Sequence, residues 1–265
     1  MESIHPTAVI GENAKIDPTA QIGAYAIIES GAQIGANAVI EPHARICGGA
    51  RIGAGCTICS FSTIAGLPQD LHFDKNLETF VEIGEGTVVR EGSTIHRATV
   101  EGGSTKIGKD CLLMANSHIG HDSVLGDRVI VAPFTACAGH VTVGDDAFIS
   151  GGVMLHQKIR VGCGAMVSGN TASSMDIPPY VNAYGRNNMA GFNLIGLMRR
   201  KVSREAIAEL KRLYGFIYAS GNPRKNAKEA FEKGMAKTKE GEIFARFFFE
   251  GEAVKPILRP RAKGE

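Results

Sequence analysis

The 265-residue chain has no tryptophan, and its aromatic residues amount to only 6%. That supply is poor for an ordinary globular core, which draws on bulky rings. The six cysteines (Cys47, Cys56, Cys59, Cys111, Cys137, Cys163) form no spacing typical of a small secreted disulfide framework. Cys56 and Cys59 look like half a zinc site, but no second pair follows, so they read as packing residues. No run approaches the ~18 apolar residues a membrane span requires. The start, MESIHPTAVIG, has neither a charged leader nor an apolar stretch, so a cytoplasmic chain without membrane insertion is expected. Charge of one sign is also scarce overall, at a formal +2. The balance conceals an asymmetry: residues 1–190 carry 12 Lys/Arg against 18 Asp/Glu, whereas residues 191–265 carry 17 against 9. A basic tail on an acidic body points to an anionic partner, which could be nucleic acid, a membrane surface, a nucleotide or an acidic protein, or else to a solvated helical face.

What the chain does have is glycine, 33 residues of it, and a repeat. Isoleucine stands at 4, 10, 16, 22, 28, 34, 40, 46, 52, 58 and 64 without exception, and a small residue such as Ala8, Ala14 or Ala20 follows four positions later. The pattern resumes at Ile83, Val89 and Ile95, and again from Ile107 to Val167. A period of six fits neither a helix nor a simple strand alternation, and it is the signature of hexapeptide β-helices. Three hexapeptides make one triangular coil of eighteen residues, and successive coils stack at about 4.8 Å. Aliphatic side chains then form inward columns, while Gly, Asn and Asp serve the corners. Handedness is not contained in the period.

Two interruptions stand out. Ile64 and Ile83 are nineteen residues apart, so residues 65–82 should contain an excursion from the prism. Within 98–106 the inward position falls on Glu101, which implies a second, smaller loop. Loops on an otherwise regular scaffold tend to carry function. After Val167 the repeat fades through SSMDIPPYV, where two prolines should end strand pairing. Ser203 is placed to cap a helix, SREAIAELKRLYGFIYAS, and NAKEAFEKGMAK and GEIFARFFFEG show helical spacing. The expected organisation is mainly β: a β-helix domain over 1–190 and a basic helical domain over 191–265.

Four of the eight histidines fall within four coils: His118, His121, His140 and His156. The offsets from His121 to His140 and His156 are close to one and two coils, which places the three on one side of the prism with His118 just round the preceding corner. Histidines so placed suit general-base catalysis near neutral pH or metal ligation. The metal alternative is the γ-class carbonic anhydrase type, whose paired-ligand spacing differs from that of His118 and His121.

The string NSHIGHDSVLGDRVIVAPFTACAGHVTVGDDAFISGGVMLHQ, with IPPYV, GFNLIGLMRR, IHRATVEGG and the QDL loop, resembles the UDP-N-acetylglucosamine O-acyltransferases of lipid A biosynthesis over the whole chain. The resemblance implies a left-handed parallel β-helix with a C-terminal helical domain. It implies transfer of a hydroxyacyl group from acyl carrier protein to the sugar 3-hydroxyl, with no cofactor beyond the carrier's phosphopantetheine and no metal. His121 would be the base, Asp122 its support, and the Gly139 N–H the oxyanion donor. Gln69, Asp70, His118, His140, His156 and Gln157 would position sugar and acyl groups. Asn193, Arg199 and Arg200 would lie near the nucleotide, and Met166 and Gly169 by the acyl chain. Gly169 reads equally as a corner glycine needing positive φ. The family implies a homotrimer with sites between prisms, and no nucleic-acid partner. His72 and Ile195 stand where the family commonly has lysine and an acidic residue. The alternatives are a related N-acyltransferase or acetyltransferase of the same fold, the zinc hydro-lyase, and a non-catalytic scaffold.

Overall fold

The computed structural model describes residues 3–251 and 255–260. Short strands run from β1 (Val9–Ile10) to β27 (Asn188–Phe192), followed by helices α1 (Leu194–Arg199), α2 (Arg204–Ile217), α3 (Pro223–Glu232) and α4 (Lys239–Arg246). The strands assemble into three sheets of nine, eight and ten strands, parallel except for β27, and from β1 through β22 each strand pairs with the one three places on. The result is a left-handed β-helix of triangular section. Register follows the isoleucine repeat: Ile28 lies over Ile10, Ile46 over Ile28 and Ile64 over Ile46. From Ala20 onward these inward residues, and the small residues that precede the strands, are almost completely buried, whereas Ile10 in the first coil is exposed.

The three outer faces differ chemically. One carries Val88, Leu112, Ile130, Phe148 and Met166 in register, all half-buried. A second carries Thr94, His118, Ala136, Met154 and Ala172. The third is charged, with Arg51, Glu82 and Lys106 side by side. Both interruptions leave from the corner between the histidine face and the charged face. Residues 67–79 leave after β10 (Thr63–Gly66), and residues 97–103 leave after β13 (Thr94–His96).

Three sequence expectations need correction. The prolines do not end pairing: β26 (Val181–Tyr184) continues parallel on β24 (Met166–Val167), and β27 pairs antiparallel with β26. Pro178 and Pro179 sit buried in the corner before β26, where no ladder N–H is required, and a Cβ at Gly162 would lie only 2.6 Å from Pro179 Cδ. Corners are not reserved for Gly, Asn and Asp, because Tyr25, His43, Phe61, Phe134, His140 and Lys158 also hold positive φ. Tyr25, His43 and Phe61 stack at 5.2 Å between neighbouring rings, which offsets part of the ~1–3 kcal/mol each such backbone costs. Helix α1 was not foreseen in GFNLIGLMRR. Asn193 caps it by accepting from the Gly196 N–H at 2.9 Å, and Leu197 is buried.

Ser203, Asn222 and Thr238 cap α2, α3 and α4 in the same way. The buried Glu209 carboxylate of α2 accepts from the Lys237 and Thr238 amides, each at 2.9 Å, and ties α2 to the start of α4. The helices close on the prism through Arg160, which meets the buried Asp176 at 2.9 Å and donates to the carbonyls of Phe247 and Glu250. Desolvation opposes ionisation of Asp176 and is the larger influence, so its carboxyl is raised above the usual value despite the guanidinium. Asp176→Ala leaves that guanidinium unpaired in a buried joint and is expected to cost about 3–5 kcal/mol in urea unfolding. A loss under about 1 kcal/mol would mean that another contact holds the joint.

Candidate active site

His118 lies on the flat histidine face in β16 (His118–Ile119), and His121 in the corner that follows. His118 is therefore not round a preceding corner, as its spacing suggested. Eighteen residues after His121 comes Gly139, in the same slot one coil on. A Cβ there would sit 2.5 Å from the His121 ring, so only glycine leaves space for it. His140 occupies the next slot at positive φ, directly above Asp122, and packs edge-on against His121 at 5.1 Å between ring centroids. His156 falls one slot earlier, exposed, with Nδ1 3.3 Å from the Gln157 carbonyl.

Asp122 is the hub of the corner. One oxygen accepts from the Thr99 amide at 3.1 Å, and the other from the Thr99 hydroxyl at 2.7 Å. The latter oxygen also lies 2.7 Å from His121 Nδ1 and 3.6 Å from His140 Nε2. Burial alone would raise the Asp122 pKa, but the bonds from Thr99 and His121 and the charge of His140 outweigh it and hold the carboxyl below its usual range. An ionised Asp122 only accepts, so His121 Nδ1 carries the proton and Nε2 keeps its lone pair toward the cavity. The Gly139 N–H makes no hydrogen bond among the described residues.

The two loops complete the site from below. Thr99 comes from the shorter loop. Gln69, exposed on the longer one, lines the cavity, and Asp70 on the same loop accepts from the His72 amide and acts electrostatically on His140. The cavity measures about 520 Å³ and runs from His96, His118 and His121 across Ala136, Met154 and Ala172 to Arg186 and Asn187, with His156 and Gln157 on its rim. A larger hollow of about 910 Å³ follows the charged face, but it contains no histidine and its Arg51 and Lys106 are paired with Glu82. The histidines gather on the smaller cavity.

The remaining sequence-derived site residues lie elsewhere in the chain. The Asn193 side chain is occupied by its cap and by the Gly164 carbonyl, at 3.3 Å. Arg200 packs on Gly164 and over the Tyr180 ring, at the corner between the charged and apolar faces, and Arg199 is exposed nearby on α1, as is Ile195. Met166 points from the apolar face. Gly169 is exposed without positive φ, which falls instead on Asn170, and a Cβ would meet nothing closer than the Gly151 carbonyl at 3.4 Å. The corner-glycine alternative is thereby excluded.

His96 was missed by the spacing argument, although it stands one residue after Ile95 of the repeat. Only 8% exposed, it meets His118 edge-on at 4.7 Å, while His118 Nδ1 bonds the Thr94 hydroxyl at 2.8 Å. Burial, assisted by the charges of His118 and His121, pushes His96 down to about 4, and burial also lowers His118 and His140.

The hexapeptide prism, a hydrogen-bonded histidine–carboxylate corner and the adjoining cavity fit a hexapeptide-type acyltransferase. Residues 176–254 match the family described as UDP-N-acetylglucosamine O-acyltransferase domain 2, and residues 7–42, 31–66 and 104–139 match bacterial transferase hexapeptide repeats. The UDP-N-acetylglucosamine acyltransferase of Campylobacter jejuni is 34% identical, covering 97% of this chain and 100% of its own, with a TM-score of 0.88. The Francisella novicida enzyme of the same description is 32% identical (97% and 94% covered, TM-score 0.89), and the Bacteroides fragilis enzyme 37% (97% and 97%, TM-score 0.79). The chain belongs to the UDP-N-acetylglucosamine O-acyltransferase family. Among the described residues no helix is long and apolar enough to cross a membrane.

Below the ordinary histidine pKa, the unfolded chain binds protons that the folded chain excludes at His96, and to a lesser degree at His118 and His140. Stability should therefore fall as pH drops from about 6.5 toward 4, at up to about 1.4 kcal/mol per pH unit for each such group. Urea midpoints measured across this range check the sign, and His96→Gln should flatten the slope.

Proposed function

We propose that the protein transfers an (R)-3-hydroxyacyl group from acyl carrier protein to the 3-hydroxyl of UDP-N-acetylglucosamine, the first step of lipid A biosynthesis. The observation that carries this is His121, whose Nδ1 is held by the ionised Asp122 while its Nε2 faces a cavity of about 520 Å³. Nε2 takes the hydroxyl proton as the sugar oxygen attacks the thioester carbonyl. The resulting oxyanion receives the free Gly139 N–H, and its collapse expels the pantetheine thiolate, which recovers the proton from His121. A thioester already carries a good leaving group, so no covalent enzyme intermediate is needed. The apolar run across Ala136, Met154 and Ala172 suits the acyl chain, and Gln69, Asp70, His118, His140, His156 and Gln157 surround the reacting groups.

The reading includes a homotrimer in the cytoplasm. Two features support the trimer: the register of Val88, Leu112, Ile130, Phe148 and Met166 on one face, and the distance of Asn193, Arg199 and Arg200 from the same chain's histidines. A neighbour seated on that face brings the arginines toward the diphosphate, for which guanidinium geometry is suited. The basic residues 191–265 suit an acidic carrier protein.

His121→Ala should keep the fold and lower kcat by roughly 10²- to 10⁴-fold, the contribution of a general base. The assay is mass spectrometry of products from UDP-N-acetylglucosamine and a mixture of hydroxyacyl carrier proteins. Retention of more than about a tenth of activity would remove His121 from the role, and absence of any acylated sugar nucleotide with the unmodified enzyme would remove the function.

Ile130→Arg places a charge in the middle of the apolar face. Sedimentation is expected to show monomers in place of trimers, with acyl transfer lost alongside. Unchanged mass would mean that the subunits meet through a different face.

A further inference from the structure

We propose that the base corner is also an inhibitory binding site for a divalent transition cation of the zinc class, an inference that rests on His121 being the base. Donor groups of His121, Asp122 and His140 converge there, one ligand atom from each lying within 4.8 Å of the others. One Asp122 carboxylate oxygen is 2.7 Å from His121 Nδ1 and 3.6 Å from His140 Nε2. Ligand bonds of about 2.0–2.1 Å in a tetrahedral zinc site put donors roughly 3.3 Å apart, so the existing separations bracket the required one. His140 is 41% exposed, so its ring has freedom to adjust. The carboxylate is already anchored by the Thr99 amide and hydroxyl, the outer support that metal ligands depend on. Two imidazoles and one carboxylate select zinc, cobalt, nickel or copper over magnesium and calcium, which require more oxygen donors. Three protein ligands leave a fourth coordination position for water.

Inhibition follows from the tautomer. In the free enzyme the neutral His121 ring carries its proton on Nδ1, toward Asp122. A cation bound to Nδ1 takes that nitrogen's lone pair: the Nδ1–H bond breaks, its proton passes to water, and Nε2 takes one proton from water to form a new N–H bond. The ring stays neutral and no net proton is released. Nε2, now an N–H donor, cannot accept the hydroxyl proton, so the base is switched off until the cation leaves. Here metal would suppress turnover, the reverse of a zinc hydro-lyase.

The test is a titration of the chelator-treated full-length protein with Co²⁺. One equivalent per chain should give visible d–d absorption without thiolate charge-transfer bands, displaced by Zn²⁺ and not by Mg²⁺ or Ca²⁺. Asp122→Asn and His140→Asn should each weaken Co²⁺ at least tenfold, and asparagine tolerates the positive φ at both positions. Zn²⁺ should abolish acyl transfer, and a chelator should restore it. Absence of the absorption, thiolate bands, or unchanged affinity in both variants would overturn the site. Cobalt bound as described with turnover intact would overturn the inhibition and the His121 role together. If the enzyme acylated no sugar nucleotide at all, the spectroscopic titration would still decide the site.

Discussion

Everything in this molecule depends on in-register stacking of eighteen-residue coils. Each coil is hydrogen-bonded to the one before it, and each buried aliphatic residue sits on its equivalent in that coil, eighteen positions earlier except where a loop intervenes. A slip of one residue would expose every member of a column, so the core fixes register more firmly than any single contact could. An insertion is tolerated only where it leaves the column intact. Both loops satisfy that condition by departing at a corner and returning to it, which is how Ile83 and Ile107 keep their inward places. Because both depart at the same corner, they gather polar residues at one edge of the prism, beneath the coils that carry His121 and His140.

Within that corner the Asp122 charge sets the chemistry. Thr99, from the shorter loop, supplies two donors, which together with His121 and His140 outweigh burial and hold the carboxyl below its usual range. The ionised carboxylate then determines which nitrogen of His121 is protonated and therefore which one is basic. Gly139 contributes by what it lacks, since any side chain would collide with the imidazole. The loop, the carboxylate, the imidazole and the glycine belong to consecutive coils, so the rigidity of the stack becomes the alignment of the site.

The fold was legible because its period is physical: six residues per strand and corner is what the prism geometry demands, and Ile4 through Ile64 repeat it without a break. His121 and His140 were legible through the same arithmetic, since eighteen residues correspond to one coil, whereas Gly139 came from the family resemblance. His96 was not, because it sits beside an insertion that breaks the arithmetic and only the folded chain brings it to His118. Thr99 was hidden for the same reason. The prolines misled because a missing N–H matters in a ladder and not in a corner. Helix α1 escaped because six residues are too few to display a period. The positive-φ aromatics escaped because the cost at Tyr25, His43 and Phe61 is visible only together with the stacking that offsets it.

The three faces show how a solenoid divides its tasks. Outward positions recur every eighteen residues, so the sequence can make one face apolar, one histidine-bearing and one charged without disturbing the shared core. The apolar face is too regular to be scattered surface hydrophobicity, and a contiguous patch of this kind marks an interaction surface. Asn193 and Arg200 lie across the prism from the base, and their side chains are engaged with Gly164 and Tyr180. Under the proposed assembly each nucleotide would be held by groups that its own base cannot reach, and a monomer would keep the proton-transfer machinery while lacking the charge to hold a diphosphate. Substrate binding and subunit association would then be a single thermodynamic problem, in which loss of the apolar contact is felt first as loss of affinity for the sugar nucleotide.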